Sequence, residues 1–234
     1  MDKFSTLTTY AVALEADNID TDQIMPKQFL RGIDKAGLDK GLFYNLKHKP
    51  DGSLDSGCVL NSPTGQKAAL LLAGPNFGCG SSREHAVWGL MQGGFKVVAA
   101  ANFGEIFYSN CFNNGLLACK VVPEDMEKLF SVVRSNPEAE FTVDLPAGTI
   151  TAGGVTVSFA VSERHRRMLM QGLDMVDATL AEIEEVKTFR EKHEKAFPWM
   201  AGLPAKAKRA MANKGFASRQ NNSQIFHKVL LETR

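Results

Sequence analysis

Apolar and polar residues alternate over residues 8–14, the period of a half-buried strand, and give way to the polar run Asn18-Ile19-Asp20-Thr21-Asp22, which suits a turn. Residues 31–57 carry repeated glycines, Pro50, charges and amides around one brief apolar group, Leu42-Phe43-Tyr44, and predict a long, partly irregular excursion. Short apolar runs at 67–73, 95–101 and 116–122 read as buried strands. Helical patterns lie between them at 83–91 and 104–113, the second closed by Gly115 as a C-cap. Strand and helix alternating in this way predict an α/β core.

Pro123 stands where a helix can begin, and Glu124-Asp125 place acid in the first turn of a helix over 125–133, favourable for its dipole. The β period returns at 141–145 and 155–161, with Gly153-Gly154 able to supply the positive φ angles of a tight turn, so a β-rich layer should follow. Residues 163–171 look helical with Gly172 as their stop, and 176–195 read as one longer helix ended by Pro198.

The charge count adds little direction, because 27 basic residues nearly cancel 26 acidic ones and no global field points to nucleic acid or an anionic membrane. No basic segment followed by an apolar block opens the chain and no run approaches membrane-spanning length, so a cytoplasmic location is the simplest expectation. Locally, residues 201–234 hold seven Lys or Arg against one acid. With only Phe216 and Phe226 as aromatics, this stretch reads as a basic, solvated or flexible tail rather than a nucleic-acid binder. The main domain is assigned to residues 1–200. Cys58, Cys79, Cys111 and Cys119 form no CxxC or Cys/His cluster and read as reduced thiols, mostly in the core.

The chemistry concentrates in Gly74-Pro75-Asn76-Phe77-Gly78-Cys79-Gly80-Ser81-Ser82-Arg83-Glu84-His85-Ala86, between a strand and a helix. Its glycines allow close backbone approach. Ser81 or Ser82 is placed as a helix N-cap, where free N–H groups and the dipole favour an anion such as a dicarboxylate. A tight turn with a capping serine is the plainer alternative. The loop lacks the Gly-Lys-Ser/Thr end of a phosphate loop, the GxGxxG spacing of a dinucleotide site and the GxSxG of a nucleophile elbow. Arg83 in a first helical turn opposes the dipole unless an anion sits nearby, which favours ligand binding over a bland surface position.

Gly-Ser-Ser-Arg-Glu-His-Ala after a strand resembles the active-site loop of the aconitase family, and residues 74–90 as a whole are close to its isopropylmalate dehydratase form. Two further blocks agree in order: residues 18–30, and residues 101–110 with Asn114-Gly115-Leu116-Leu117. The resemblance spans roughly residues 4–200 and leaves the tail without a counterpart. It implies a three-layer swivelling β/β/α domain with a C-terminal helical extension.

It also implies a hydro-lyase small subunit that interconverts 2- and 3-isopropylmalate by dehydration and rehydration in leucine biosynthesis. Related dehydratases acting on citraconate or methylmalate, homoaconitate or dimethylmalate share the same motifs, and a non-catalytic dicarboxylate-binding module is the alternative from another class. Family chemistry pairs a serine alkoxide with an iron Lewis acid to remove a weakly acidic C–H proton. Ser81 matches the base, Arg83 the arginine that grips a substrate carboxylate through two parallel hydrogen bonds, and Ser82 the cap and oxyanion-side donor. Arg31 resembles a second carboxylate binder, with a surface salt bridge as its alternative, and Thr21 and Asp22 shape the site or form an Asx-type turn. His85 and Cys79 stay outside the catalytic set, and Asn110 and Asn114 read as structural. No metal ligands are assigned to this chain, so a [4Fe–4S] cluster is expected on a separate large subunit, in a heterodimer or a multiple of it. Leu30, Leu42 and Phe43 are candidates for an apolar substrate wall, with core packing the plainer role.

Overall fold

The structure is a computed structural model, and it describes residues 1–30 and 36–213. The chain divides into two compact units, Met1–Thr179 and Leu180–Arg234.

In the first unit, β1 (Thr6–Leu14) leads to the short helix α1 (Thr21–Ile24), and the excursion that follows contains the short helix α2 (Tyr44–Lys47) and 3₁₀ turns at Lys27–Phe29, Leu38–Gly41 and Val59–Asn61. Next come β2 (Leu70–Ala73), α3 (His85–Gln92), β3 (Val97–Ala100), α4 (Glu105–Asn114) and β4 (Leu117–Lys120). Then follow α5 (Pro123–Ser135), β5 (Glu140–Asp144), β6 (Thr149–Ala152), β7 (Val155–Ser158), α6 (Glu163–Gln171) and α7 (Met175–Leu180). The strands form one seven-stranded sheet in the order β4-β3-β2-β1-β5-β6-β7.

Strand β1 serves two halves of this sheet. Residues Ala11 to Leu14 pair in parallel with β2, whereas Thr6 to Tyr10 pair antiparallel with β5. The half made of β1 to β4 is parallel and the half made of β5 to β7 antiparallel. Strands β2 and β3 are buried at every position, as expected of parallel strands covered on both faces, which explains their unbroken apolar runs. Strands β5 and β6 instead alternate buried and more exposed residues, so one face meets the core and the other does not.

The α/β class agrees with the sequence pattern. The β-rich segment expected after it is hydrogen-bonded onto β1 and so continues the sheet. Strand β6 lay unassigned between the two predicted β stretches. Gly153 and Gly154 do form the tight turn that joins it to β7, with φ of 55° and 78°. Gly115 and Gly172, at φ of 90° and 72°, end α4 and α6 as expected. The buried Leu42 and Phe43 belong to the hydrophobic core and Leu30 packs against it, so core packing accounts for all three.

The single helix predicted over 176–195 is two helices in the structure, α7 and, in the second unit, α8 (Ile183–Ala196). Within the second unit a 3₁₀ turn at Pro198–Met200 and α9 (Leu203–Asn213) follow. The basic tail is thus helical over its described part.

Leu71 in the central strand β2 has no solvent exposure and sits among large apolar neighbours. Leu71→Ala is expected to lower stability by about 3 kcal/mol through lost burial and the cavity left behind, measured by urea unfolding followed by circular dichroism.

Candidate active site

Three loops leave the carboxyl ends of β1, β2 and β3, the edge where open parallel sheets gather their ligands. Backbone bonds fasten the first to the second. Gly78 N donates to Ile19 O at 2.7 Å, Thr21 N donates to Cys79 O at 3.0 Å, and Asp20 and Cys79 form an isolated parallel bridge. The third loop joins by Phe77 N to Asn102 O at 3.3 Å and Gly104 N to Phe77 O at 2.9 Å.

Asparagine side chains complete the lacing. Asn76 Nδ2 donates to Asn18 Oδ1 at 2.8 Å and Asn76 N donates to Asn102 Oδ1 at 2.6 Å, with Asn18 and Asn76 both left-handed at φ of 56° and 58°. Asparagine tolerates that backbone region, and its occurrence in each of the three blocks was the signal for this scaffold that the sequence reading missed. Also missed was the capping box of α1, written as Asp20 three residues before Gln23. Gln23 N donates to Asp20 Oδ1 at 2.7 Å and Asp20 N donates to Gln23 Oε1 at 3.0 Å.

Close contact needs glycine here. A Cβ on Gly104 would lie 2.5 Å from Gly78 O and 3.0 Å from Cys79 Cα, and one on Gly78, at φ 72°, would strike the Phe107 ring.

On this scaffold the chain presents Ser81 and Ser82 as exposed residues and Arg83 as half-buried. The N-cap expected of a serine is not formed. Helix α3 starts only at His85, with Glu84 as its N-cap and no side-chain cap bond. Gly80 turns the chain at φ 92°, Arg83 N donates to Ser81 O at 2.9 Å, and Ser81 N donates across to Thr21 Oγ1 at 3.2 Å. Ser81 N and Arg83 N thus find partners before the helix begins, and both serines lie ahead of the dipole that sequence reasoning invoked. Glu84 is tied down by Asn114, whose Nδ2 donates to Glu84 Oε1 at 2.7 Å while its Oδ1 accepts from Trp88 Nε1 at 2.9 Å.

Thr21 is the one buried polar side chain among the described residues, at 1% exposure. Its Oγ1 lies 3.0 Å from Ser81 Oγ. Next to it, Asp22 accepts a hydrogen bond from Arg83 Nη1 in an ion pair, supplying the anion that a cation at this position requires. The Arg83 hydrogen bond holds the Asp22 carboxyl below its ordinary value of 3.8. Structure thus brings Ser81, Arg83, Thr21 and Asp22 together, with Ser82 adjoining them. Arg31 lies outside the described residues.

Among the described residues no group of three or more His, Cys, Asp or Glu side chains is placed to hold a metal ion. Cys111 and Cys119 are fully buried and burial pushes their thiols well up, while Cys79 Sγ faces Asn18 O at 3.5 Å. An iron–sulfur cluster does not fit these residues. No described helix is long and apolar enough to cross a membrane.

The mixed sheet with a serine and arginine loop at its parallel edge defines the class: the model of the Aconitase C-terminal domain matches residues 1–124, and a LeuD_N model matches residues 127–163. A 3-isopropylmalate dehydratase small subunit 1 of Chromobacterium violaceum is 48% identical over 202 residues, covering 86% of this chain and 95% of the relative. A 3-isopropylmalate dehydratase small subunit of Brucella canis is 44% identical over 200 residues, covering 85% of this chain and 100% of the relative. The chain belongs to the family of 3-isopropylmalate dehydratase small subunits. A crystal structure of 3-isopropylmalate dehydratase from Methanocaldococcus jannaschii shares the fold at a TM-score of 0.55 and 25% identity, covering 80% of this chain and 99% of that one.

Because the Asp22 value is lowered, the ion pair with Arg83 forms fully above the ordinary carboxylate range and is lost as pH falls through the lowered value. Carboxyl-detected NMR of Asp22 should show titration below 3.8, and in Arg83→Met the midpoint should move back up toward that value. Gly104→Ala is expected to displace the Gly78–Cys79 backbone and lower affinity for a dicarboxylate at least about tenfold, read by calorimetry on the assembled enzyme.

Proposed function

We propose that this chain is the small subunit of a hydro-lyase that isomerises 2-isopropylmalate and 3-isopropylmalate through an unsaturated intermediate. The observation that carries the reading is an exposed serine and, two residues on in the same loop, an arginine, which meet Thr21 and the Asp22 carboxylate of a neighbouring loop stitched to theirs by backbone bonds. Such a pair suits a substrate that has a weakly acidic C–H and carboxylates to hold. The family names of its relatives imply a large-subunit partner. We assign the iron–sulfur cluster to that partner, where it supplies Lewis-acid chemistry to the substrate hydroxyl.

The residues of this chain take the remaining tasks. Ser81 Oγ is the base, since it is exposed to an incoming ligand and backed by a fixed hydroxyl partner. Arg83 binds a substrate carboxylate through its planar guanidinium, either beside Asp22 or in its place. Pairing with Asp22 holds the guanidinium in position before substrate arrives, which lowers the cost of ordering it. Ser82 is a neighbouring donor to the same carboxylate, and Arg31 a second carboxylate binder from the excursion.

The test is anaerobic co-expression with an iron–sulfur large subunit and absorbance of the unsaturated product from 3-isopropylmalate. Activity should require both chains. Ser81→Ala should reduce kcat on the order of 10⁴-fold. Arg83→Lys should raise KM at least about tenfold, because a point charge cannot reproduce two parallel hydrogen bonds. An inactive, cluster-loaded complex would redirect the reading to another hydroxy-dicarboxylate, and failure of the chains to associate would support a non-catalytic dicarboxylate-binding module.

A further inference from the structure

Thr21 directs its one hydroxyl at a single residue. Its Oγ1 lies 3.2 Å from Ser81 N, 3.2 Å from Ser81 O and 3.0 Å from Ser81 Oγ. A hydroxyl carries one proton and two acceptor sites, so the roles can be assigned by counting. The Ser81 N–H has to donate to Thr21. While Ser81 is neutral, its own O–H also donates to Thr21, and Thr21 donates its proton to the Ser81 carbonyl. All three contacts are then satisfied.

Ionised Ser81 has no proton to give, and its oxygen becomes the strongest acceptor within reach of Thr21. Rotation about the Thr21 Cβ–Oγ1 bond moves the threonine proton from Ser81 O to Ser81 Oγ without moving a heavy atom. The new bond is charge-assisted and roughly twice as strong as a neutral one. Burial of Thr21 at 1% exposure keeps water from competing for that proton, and the bond from Ser81 N holds its oxygen beside Ser81.

We propose that Thr21 is a positioning residue whose hydroxyl proton switches from the Ser81 carbonyl to Ser81 Oγ and thereby stabilises the ionised base, a role that rests on Ser81 acting as that base. The proton first lost from Ser81 passes to bulk water. The proton later taken from the substrate carbon restores the Ser81 hydroxyl, and the Thr21 proton returns to the carbonyl. Nothing is consumed in the cycle.

The experiment is the pH dependence of kcat for the assembled enzyme with wild-type chain, Thr21→Val and Thr21→Ser, with complex formation and circular dichroism recorded for each. Thr21→Val should lower kcat about 10²-fold. Its limb reporting ionisation of the base should move up by more than about one pH unit, with KM within about threefold of wild type. Thr21→Ser should restore kcat to within about fivefold and leave the limb in place. If Thr21→Val does not assemble, Thr21→Ala supplies the second variant without a hydroxyl, with the same profile expected. A loss of kcat with an unmoved limb, or equal losses in the valine and serine variants, would reduce Thr21 to a packing role and overturn the proposal. Full activity in Ser81→Ala would instead remove the base reading beneath it, so the two failures are told apart.

Discussion

The site depends on a short backbone seam between the loops that follow β1 and β2. Gly78 N to Ile19 O and Thr21 N to Cys79 O, at 2.7 Å and 3.0 Å, hold two segments about sixty residues apart in sequence as if they were paired strands. Every side-chain relation in the site is downstream of that seam. Thr21 meets Ser81 and Asp22 meets Arg83 because the two backbones are in register, and the asparagine lacing and the bare glycines at 78 and 104 let a third loop brace them. Buried amide pairs of this kind resist opening, since a separated N–H or C=O has no water to replace its partner.

The arrangement resolves an electrostatic conflict without a ligand. A guanidinium just ahead of α3 meets an unfavourable dipole end, and Asp22 compensates it from the neighbouring loop. This keeps the Arg83 guanidinium oriented.

The sheet gives the site a rigid base. Strand β1 is long enough to serve as an edge for both halves, parallel pairing at its carboxyl end and antiparallel pairing at its amino end. The parallel half concentrates loop starts at one edge, while the antiparallel half extends the sheet away from it. Exposed Ser81 on such a base is a group presented outward.

The sequence by itself determined the α/β class, the glycine stops at Gly115 and Gly172, the turn at Gly153-Gly154 and the loop that carries Ser81 and Arg83, because each is written in local period, backbone freedom or a contiguous string. It misjudged the serines as helix caps, since a local rule assigns the nearest N–H to the nearest hydroxyl and cannot see Thr21 arriving from sixty residues upstream. It ran α7 and α8 together because their charge pattern is continuous while their backbone is not. Only the tertiary structure decided that Thr21 lies under Ser81, that Asp22 faces Arg83, and that the late strands join β1. Those are contacts between distant segments, and their geometry is set by sheet register and loop packing rather than by any stretch of residues read alone.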